Sequence, residues 1–219
     1  MLKHLLSIRD LSQLEATSLL ASANEMSAVN RRALKTLPTL RGKTVVNLFY
    51  ENSTRTRISF EISAKRLGAD VINVSSEVSS ASKGESLRDT AQTLEALGAD
   101  AIVLRHPMSG AAHAMATRNW ISSSVINAGD GRHEHPTQAL LDALTISRVF
   151  GSGFDFKGIK VLIVGDLYHS RVARSNFLLL NLLGAKVIAT GPRQLVPQGF
   201  DQMGVEIYDS FDEALSEQP

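Results

Sequence analysis

Apolar and polar positions along the chain follow two alternating periods. Thr44–Phe49, Val71–Val74, Ala101–Leu104 and Val125–Asn127 are short β-branched or apolar runs, which predict buried strands. Arg57–Leu67, Ser86–Leu97, Ala111–Trp120 and Thr137–Phe150 carry apolar residues at helical spacing. Gly68, Gly98 and Gly151 stand where a left-handed residue caps a helix end. Upstream, Ser12-Gln-Leu-Glu15 has the form of a capping box before an apolar helical series. A basic link from Arg31 to Lys43, holding Pro38 and Gly42, leads into the first strand. After Gly151-Ser-Gly-Phe-Asp-Phe-Lys-Gly158 the series restarts with Lys160–Val164, Arg171–Leu183, Lys186–Ala189, Val205–Tyr208 and a short acidic helix. Strands alternating with helices predict an α/β fold of two open parallel-sheet domains. Residues 1–150 supply about four strands and residues 151–219 about three, so the second domain is thin.

Composition narrows the classes of function. In 219 residues, Lys plus Arg number 23 and Asp plus Glu 22, a net charge of +1. A chain that binds nucleic acid non-specifically needs a strong basic excess, so no nucleic-acid partner is expected. The longest apolar blocks are four residues, against about 20 for a membrane span, so a soluble protein without a membrane partner is expected. There is no cysteine, hence no disulfide, thiolate metal site or cysteine nucleophile, which fits a reducing cytoplasm.

The strongest chemical signal is Phe49-Tyr-Glu-Asn-Ser53-Thr54-Arg55-Thr56-Arg57, running from a strand end into a helix start. Unpaired N–H groups and the macrodipole make such a start an anion site. Ser53, Thr54 and Thr56 add hydroxyls, and Arg55 adds a fork suited to phosphate. Ordinary capping accounts for one Ser or Thr, but not for three hydroxyls alternating with two arginines. Gly42-Lys43-Thr44 is no phosphate loop, because Leu37 stands where the first glycine belongs and a strand follows it. Val164-Gly165-Asp166 lacks the remaining glycines of a dinucleotide fingerprint.

Other candidates fall at strand ends, where open parallel sheets bind ligands. Arg105-His106-Pro107 follows the strand ending at Leu104. His133 and His135 follow the strand at 125–127, without the helical spacing that a metal pair would favour. Pro136 suits the first position of a helix, which puts His135 at its cap. There it either donates a hydrogen bond or serves as a structural cap. Ser79 to Ser86, containing Lys83, is a polar loop, either a solvent loop capped by Ser86 or a functional one. Asp166-Leu-Tyr-His169-Ser170-Arg171 opens another helix and offers a second anion site.

Together these strings resemble the aspartate carbamoyltransferase family, within the wider aspartate/ornithine carbamoyltransferase group. The matches are Glu-Asn-Ser-Thr-Arg-Thr-Arg at 51–57, Ser-Lys-Gly-Glu-Ser at 82–86 and Arg-His-Pro at 105–107. Ala-Gly-Asp-Gly at 128–131, His-Pro-Thr-Gln at 135–138 and Gly-Asp-Leu-Tyr-His-Ser-Arg at 165–171 complete the set. The resemblance implies carbamoyl transfer from carbamoyl phosphate to the amino group of L-aspartate, a step of pyrimidine synthesis, without metal or other cofactor. Residues 1–150 would bind carbamoyl phosphate, and 151–219 would begin the aspartate-binding domain. By match, Ser53, Thr54, Arg55, Thr56 and Arg105 hold the phosphate. Thr56, Arg105 and His135 face the carbamoyl oxygen, and Gln138 takes the carbamoyl NH2. Arg55, Thr56, Arg105 and His135 form the catalytic set. Lys83, with Ser79 or Ser80, reaches in from a neighbouring subunit, and Lys83 and Arg171 hold aspartate. The implied assembly is a cytoplasmic homotrimer with shared sites, open to further subunits.

The family's second half extends well past residue 219 and carries Arg-x-Gln-x-Glu-Arg and His-Pro-x-Pro motifs, neither of which occurs here. These 219 residues alone are therefore not expected to approach full turnover. Two alternatives stand beside this one: ornithine as acceptor, and a carbamoyl-phosphate-binding subunit without turnover. Asn52 before the Ser and Lys83 before Gly-Glu favour aspartate.

Overall fold

The computed structural model describes residues 2–75, 85–151 and 153–219. Among them, two parallel sheets form, one of four strands and one of three. Strands β1 (Thr44–Phe49), β2 (Asp70–Ser75), β3 (Ala101–His106) and β4 (Ser124–Asp130) lie in the order β2-β1-β3-β4. Strands β5 (Lys160–Val164), β6 (Lys186–Thr190) and β7 (Val205–Tyr208) lie in sequence order. The helices are α1 (Gln13–Val29), α2 (Thr54–Arg66), α3 (Leu87–Ala96), α4 (Ala111–Thr117), α5 (Pro136–Phe150), α6 (Arg171–Leu182) and α7 (Phe211–Ser216).

Backbone contacts divide the chain into two units: Met1–Leu6 with Ser27–His133, and Ser7–Met26 with Glu134–Pro219. Most of α1 and all of α5 thus group with the second sheet. In the first unit, Val46, Leu48, Ile102, Leu104, Met115 and Val125 form one buried cluster, and Val45, Phe49, Ala64, Val103 and Ala128 another. The central strands β1 and β3 are buried on both faces, which explains their largely apolar runs; the exception, buried Asn47 in β1, donates its Nδ2 to Asn73 Oδ1 of β2 at 2.9 Å. The second unit is centred on Phe156, Phe177, Leu180, Ile188 and Phe200, with Phe177 and Phe200 edge to face at 5.5 Å.

Several boundaries differ from the sequence reading. Helix α2 starts at Thr54 instead of Arg57, so the Ser-Thr-Arg-Thr string forms its first turn. Arg105 and His106 lie inside β3, whose pairing with β1 runs through Phe49 and Arg105. Strand β4 runs on to Asp130, with a register shift against β3 between Leu104 and His106. Helix α4 ends at Thr117, three residues early, with Asn119 left-handed beyond it. The capping box is formed: Ser12 Oγ accepts from Glu15 N at 3.2 Å, and Ser12 N donates to the Glu15 carboxylate at 2.9 Å. Among the described residues no helix is long and apolar enough to cross a membrane.

Candidate active site

In the first sheet, β1 leads to one neighbour, β2, and β3 lies on its other side. The strand order therefore reverses between β1 and β3. Open α/β sheets bind ligands at such a switch point, beyond the carboxyl ends of the strands. The chain leaves β1 at Phe49 and enters α2 five residues later, while Arg105 stands opposite Phe49 near the end of β3. Tyr50 N donates to Arg105 O at 2.8 Å. Ser53, Thr54, Arg55, Thr56 and Arg105 are thus carried by the ends of two neighbouring strands in one unit.

Ser53 occupies the N-cap of α2 with an extended backbone, but its hydroxyl caps no backbone N–H. It donates instead to Thr56 Oγ1 at 2.9 Å. The N-cap serines of α3, α6 and α7 each accept from a backbone N–H in the first turn. Helix α2 also has no acidic residue in its first turn. Its start keeps donors and positive charge directed outward, which suits an anion.

Arg105 is held from two sides. Its Nε lies 3.3 Å from Glu51 Oε2, and Nη1 donates to Ala128 O at 3.2 Å. Its side chain keeps only 15% of its exposure. The guanidinium plane is therefore fixed at the ends of β1, β3 and β4. The sequence gives Glu51 no role of its own, although it opens the 51–57 string; its spacing from Arg105 gives no signal until the strands pair.

The loops after β3 and β4 are tied together by Asp130. This buried carboxylate accepts from Gly110 N at 2.6 Å, Asn127 Nδ2 at 2.8 Å and the His133 ring at 3.1 Å. Burial pushes the Asp130 carboxyl up, but the bonds from His133, Asn127 and Gly110 outweigh it and hold the group below its usual range. His106 is pulled down by burial, against the nearby Glu51 and Asp130 charges, and its Nδ1 accepts from Met108 N at 3.0 Å. Gly131 is needed here: its φ is +51°, and a Cβ would come within 2.6 Å of Ser109 N.

His135, Gln138 and Arg171 belong to the second unit. His135 is buried at the N-cap of α5, with Pro136 at the first helical position, as expected. Its N–H donates to Ser175 Oγ at 2.8 Å, and its Nδ1 lies 3.3 Å from Thr137 Oγ1. Ser175 Oγ donates to Glu134 Oε2 at 3.1 Å. Buried Glu134 also accepts from Ile8 N at 2.9 Å and from the Ser7 hydroxyl. Gln138 Nε2 donates to Asp142 Oδ1 at 2.9 Å. Arg171 opens α6, but the N-terminus there is capped by Ser170, and Asp166 pairs with His169 at 2.9 Å. That start differs from α2, since its own hydroxyl is spent and a carboxylate stands beside it. Lys83, Ser79 and Ser80 lie outside the described residues.

The model of the "Aspartate/ornithine carbamoyltransferase, carbamoyl-P binding domain" family matches residues 3–148. The chain belongs to the aspartate/ornithine carbamoyltransferase family. It is 57% identical to the aspartate carbamoyltransferase catalytic subunit of Micrococcus luteus, over 100% of this chain and 69% of that one. Trypanosoma cruzi aspartate transcarbamoylase, solved with carbamoyl phosphate and aspartate, matches with a TM-score of 0.83 at 35% identity. That match covers 97% of this chain and 69% of the other. Ornithine carbamoyltransferase from Thermus thermophilus matches with a TM-score of 0.85 at 27% identity, covering 98% of this chain and 71% of that one. The carbamoyltransferase chain thus spans about two thirds of the length of these relatives. The shared backbone is common to both acceptor specificities, while the sequence lies on the aspartate side.

Proposed function

We propose that this chain transfers the carbamoyl group of carbamoyl phosphate to the amino group of L-aspartate, giving N-carbamoyl-L-aspartate and phosphate. The carrying observation is the start of α2, where three hydroxyls and Arg55 stand at an N-terminus whose cap serine binds no backbone amide, beside Arg105 at the sheet's switch point. In this reading Ser53, Thr54, Arg55, Thr56 and Arg105 bind the phosphate. Thr56, Arg105 and His135 meet the carbonyl oxygen, and Gln138 meets the carbamoyl NH2. Residues 1–150 form the carbamoyl-phosphate domain, and 151–219 begin the aspartate domain, with Arg171 on an aspartate carboxylate.

The chemistry follows from charge. Aspartate's amine attacks the carbonyl carbon, negative charge grows on the carbonyl oxygen, and phosphate departs with its electron pair and takes up the proton that the amine loses. Fixed N–H and guanidinium donors aimed at those oxygens stabilise the transition state, each typically by about 3–4 kcal/mol. Holding both substrates in one cleft supplies much of the remainder. On the same resemblance we assign the protein to the cytoplasm, as a homotrimer in which Lys83 completes a neighbour's site.

The test is transfer of labelled carbamoyl groups to aspartate or ornithine, with calorimetry of carbamoyl phosphate binding. Aspartate should be the acceptor, and Arg55→Ala should weaken binding by about 1.5–3 kcal/mol, as for charge-assisted hydrogen bonds. Preference for ornithine, or unchanged affinity in Arg55→Ala, refutes the assignment. Mixing Lys83→Ala and Arg55→Ala chains should restore some activity, and mixed trimers that stay inactive rule out the shared site.

A further inference from the structure

Helices α5 and α6 carry a second, partly buried carboxylate arrangement that the proposed chemistry has not used. Asp142, one turn along α5 from Gln138, accepts from Gln138 Nε2 at 2.9 Å through one oxygen. Its other oxygen accepts from Asn176 Nδ2 of α6 at 2.8 Å. All three residues lie in one unit. An ionised carboxylate offers acceptors only. Each amide must therefore turn its nitrogen toward Asp142 and its oxygen away. The buried side of this arrangement shows how firmly the carboxylate dictates orientation: Asn176 Oδ1 is buried without a hydrogen-bond partner. Asn176 keeps that unfavourable orientation because Asp142 can accept its NH2 and could not donate to its oxygen.

The same logic applied to Gln138 fixes which end of its amide meets a ligand. We infer that Asp142 is a positioning residue that turns Gln138 Oε1, and not its NH2, toward the carbamoyl group, so that the site selects a ligand bearing N–H donors there. This rests on the proposed role of Gln138. A free glutamine amide would present either end, and half of its orientations would set NH2 against NH2. Tethering the nitrogen removes that half. The substrate class selected is an acyl phosphate with an NH2 on the acyl carbon. Acetyl phosphate, with the same phosphate and carbonyl but a methyl in place of NH2, gains nothing from the acceptor.

The experiment measures binding of carbamoyl phosphate and of acetyl phosphate to the protein and its variants by calorimetry. Gln138→Leu should weaken carbamoyl phosphate by about three- to tenfold, the worth of one lost hydrogen bond, and leave acetyl phosphate within about twofold. Asp142→Ala should show the same selective loss. The double variant Gln138→Leu/Asp142→Ala should be no weaker than Gln138→Leu, because Asp142 acts only through Gln138. If Asp142→Ala does not fold, because Asn176 Nδ2 is left without an acceptor, Asp142→Ala/Asn176→Leu removes both partners and takes its place. Loss of both ligands alike in the Asp142 variants, or of neither, overturns the inference while Gln138→Leu remains selective. A Gln138→Leu variant that does not discriminate overturns the role of Gln138 itself, and the inference with it.

Discussion

Glu134 offers a sharp test of how the second unit holds His135. Its carboxylate is 2% exposed and receives the Ser7 hydroxyl, Ile8 N and Ser175 Oγ, while Ser175 Oγ in turn receives His135 N. Glu134→Ala removes all three bonds at once. The two hydroxyls can turn to other acceptors, but the backbone N–H of Ile8 cannot. Leaving the buried Ile8 N–H without an acceptor costs about 1–3 kcal/mol, and the loss of the hydroxyl bonds to the carboxylate adds to it, so Glu134→Ala should lower the unfolding free energy by about 2–4 kcal/mol. Glu134→Gln keeps an oxygen for Ile8 N and Ser175, and the Ser7 hydroxyl can accept from the new NH2. What it loses is the strengthening that charge gives each bond, and we expect a loss of about 1–2 kcal/mol. Urea unfolding at constant slope reads both values. Hydrogen exchange at Ile8 should accelerate more in Glu134→Ala than in Glu134→Gln. Equal costs for the two variants, or a cost under about 1 kcal/mol for Glu134→Ala, would show that the carboxylate does not anchor these donors.

Three further outcomes follow from the first unit. Ser86→Ala should cost about 1 kcal/mol of stability by uncapping α3, whereas Ser53→Ala should leave the urea midpoint unchanged and weaken phosphate binding; a stability loss in Ser53→Ala would make Ser53 an ordinary cap. Gly131→Ala should destabilise by about 1–3 kcal/mol, since its Cβ would meet Ser109 N at 2.6 Å and Pro107 O at 2.9 Å, and a neutral result would mean that this loop yields. Acid should act in two stages. Burial holds folded His106 below its ordinary 6.5, so its contribution is full above that value and is lost as pH falls through it. Asp130, held below its ordinary 3.8 against the upward push of burial, contributes above that value and is lost as pH falls further. His106→Gln should reduce the upper stage in urea midpoints followed against pH, leaving the part contributed by His4, which burial also pulls down, and an unchanged slope there contradicts the assignment.

What the sequence made legible was whatever side-chain polarity encodes. β1, β5 and β7 run over the spans their apolar residues predict. β3 and β4 run further than expected because Arg105 pairs with Phe49 and His106 with Asp130 through backbone groups, which polarity does not report. Likewise α2 begins before its first apolar position, Ile58, because its first turn, residues 54–57, is polar throughout and hydrophobic periodicity does not register it. The partners of Glu134 are 126, 127 and 41 residues away, and no local pattern links them. Glu51 and Asp142 sit beside recognisable motifs, yet their work depends on which oxygen meets which nitrogen across strands or helices.

The four helices that begin at Ser53, Ser86, Ser170 and Ser210 show how far local chemistry can go. All four have a serine at the N-cap, so the cap residue alone cannot tell an anion site from a structural start. The third helical residue and the nearby charges can. At α3 and α7 that residue is Asp89 or Glu213, whose charge already complements the macrodipole and would repel an incoming anion. At α6 it is Ala173, the cap hydroxyl is used on its N–H, and Asp166 lies just upstream. At α2 it is Thr56, flanked by Arg55 and Arg57, with no acid in the turn and the Ser53 hydroxyl bound to Thr56 instead of the backbone. Only this start leaves both the dipole and its amides uncompensated from within. A helix in that condition is less stable alone than its three counterparts, and under the proposed function a bound phosphate would supply what they obtain from their own side chains. On that proposal, stability given up at Ser53 would become binding energy at the same atoms, and the same substitution should separate the two quantities there and nowhere else among these caps.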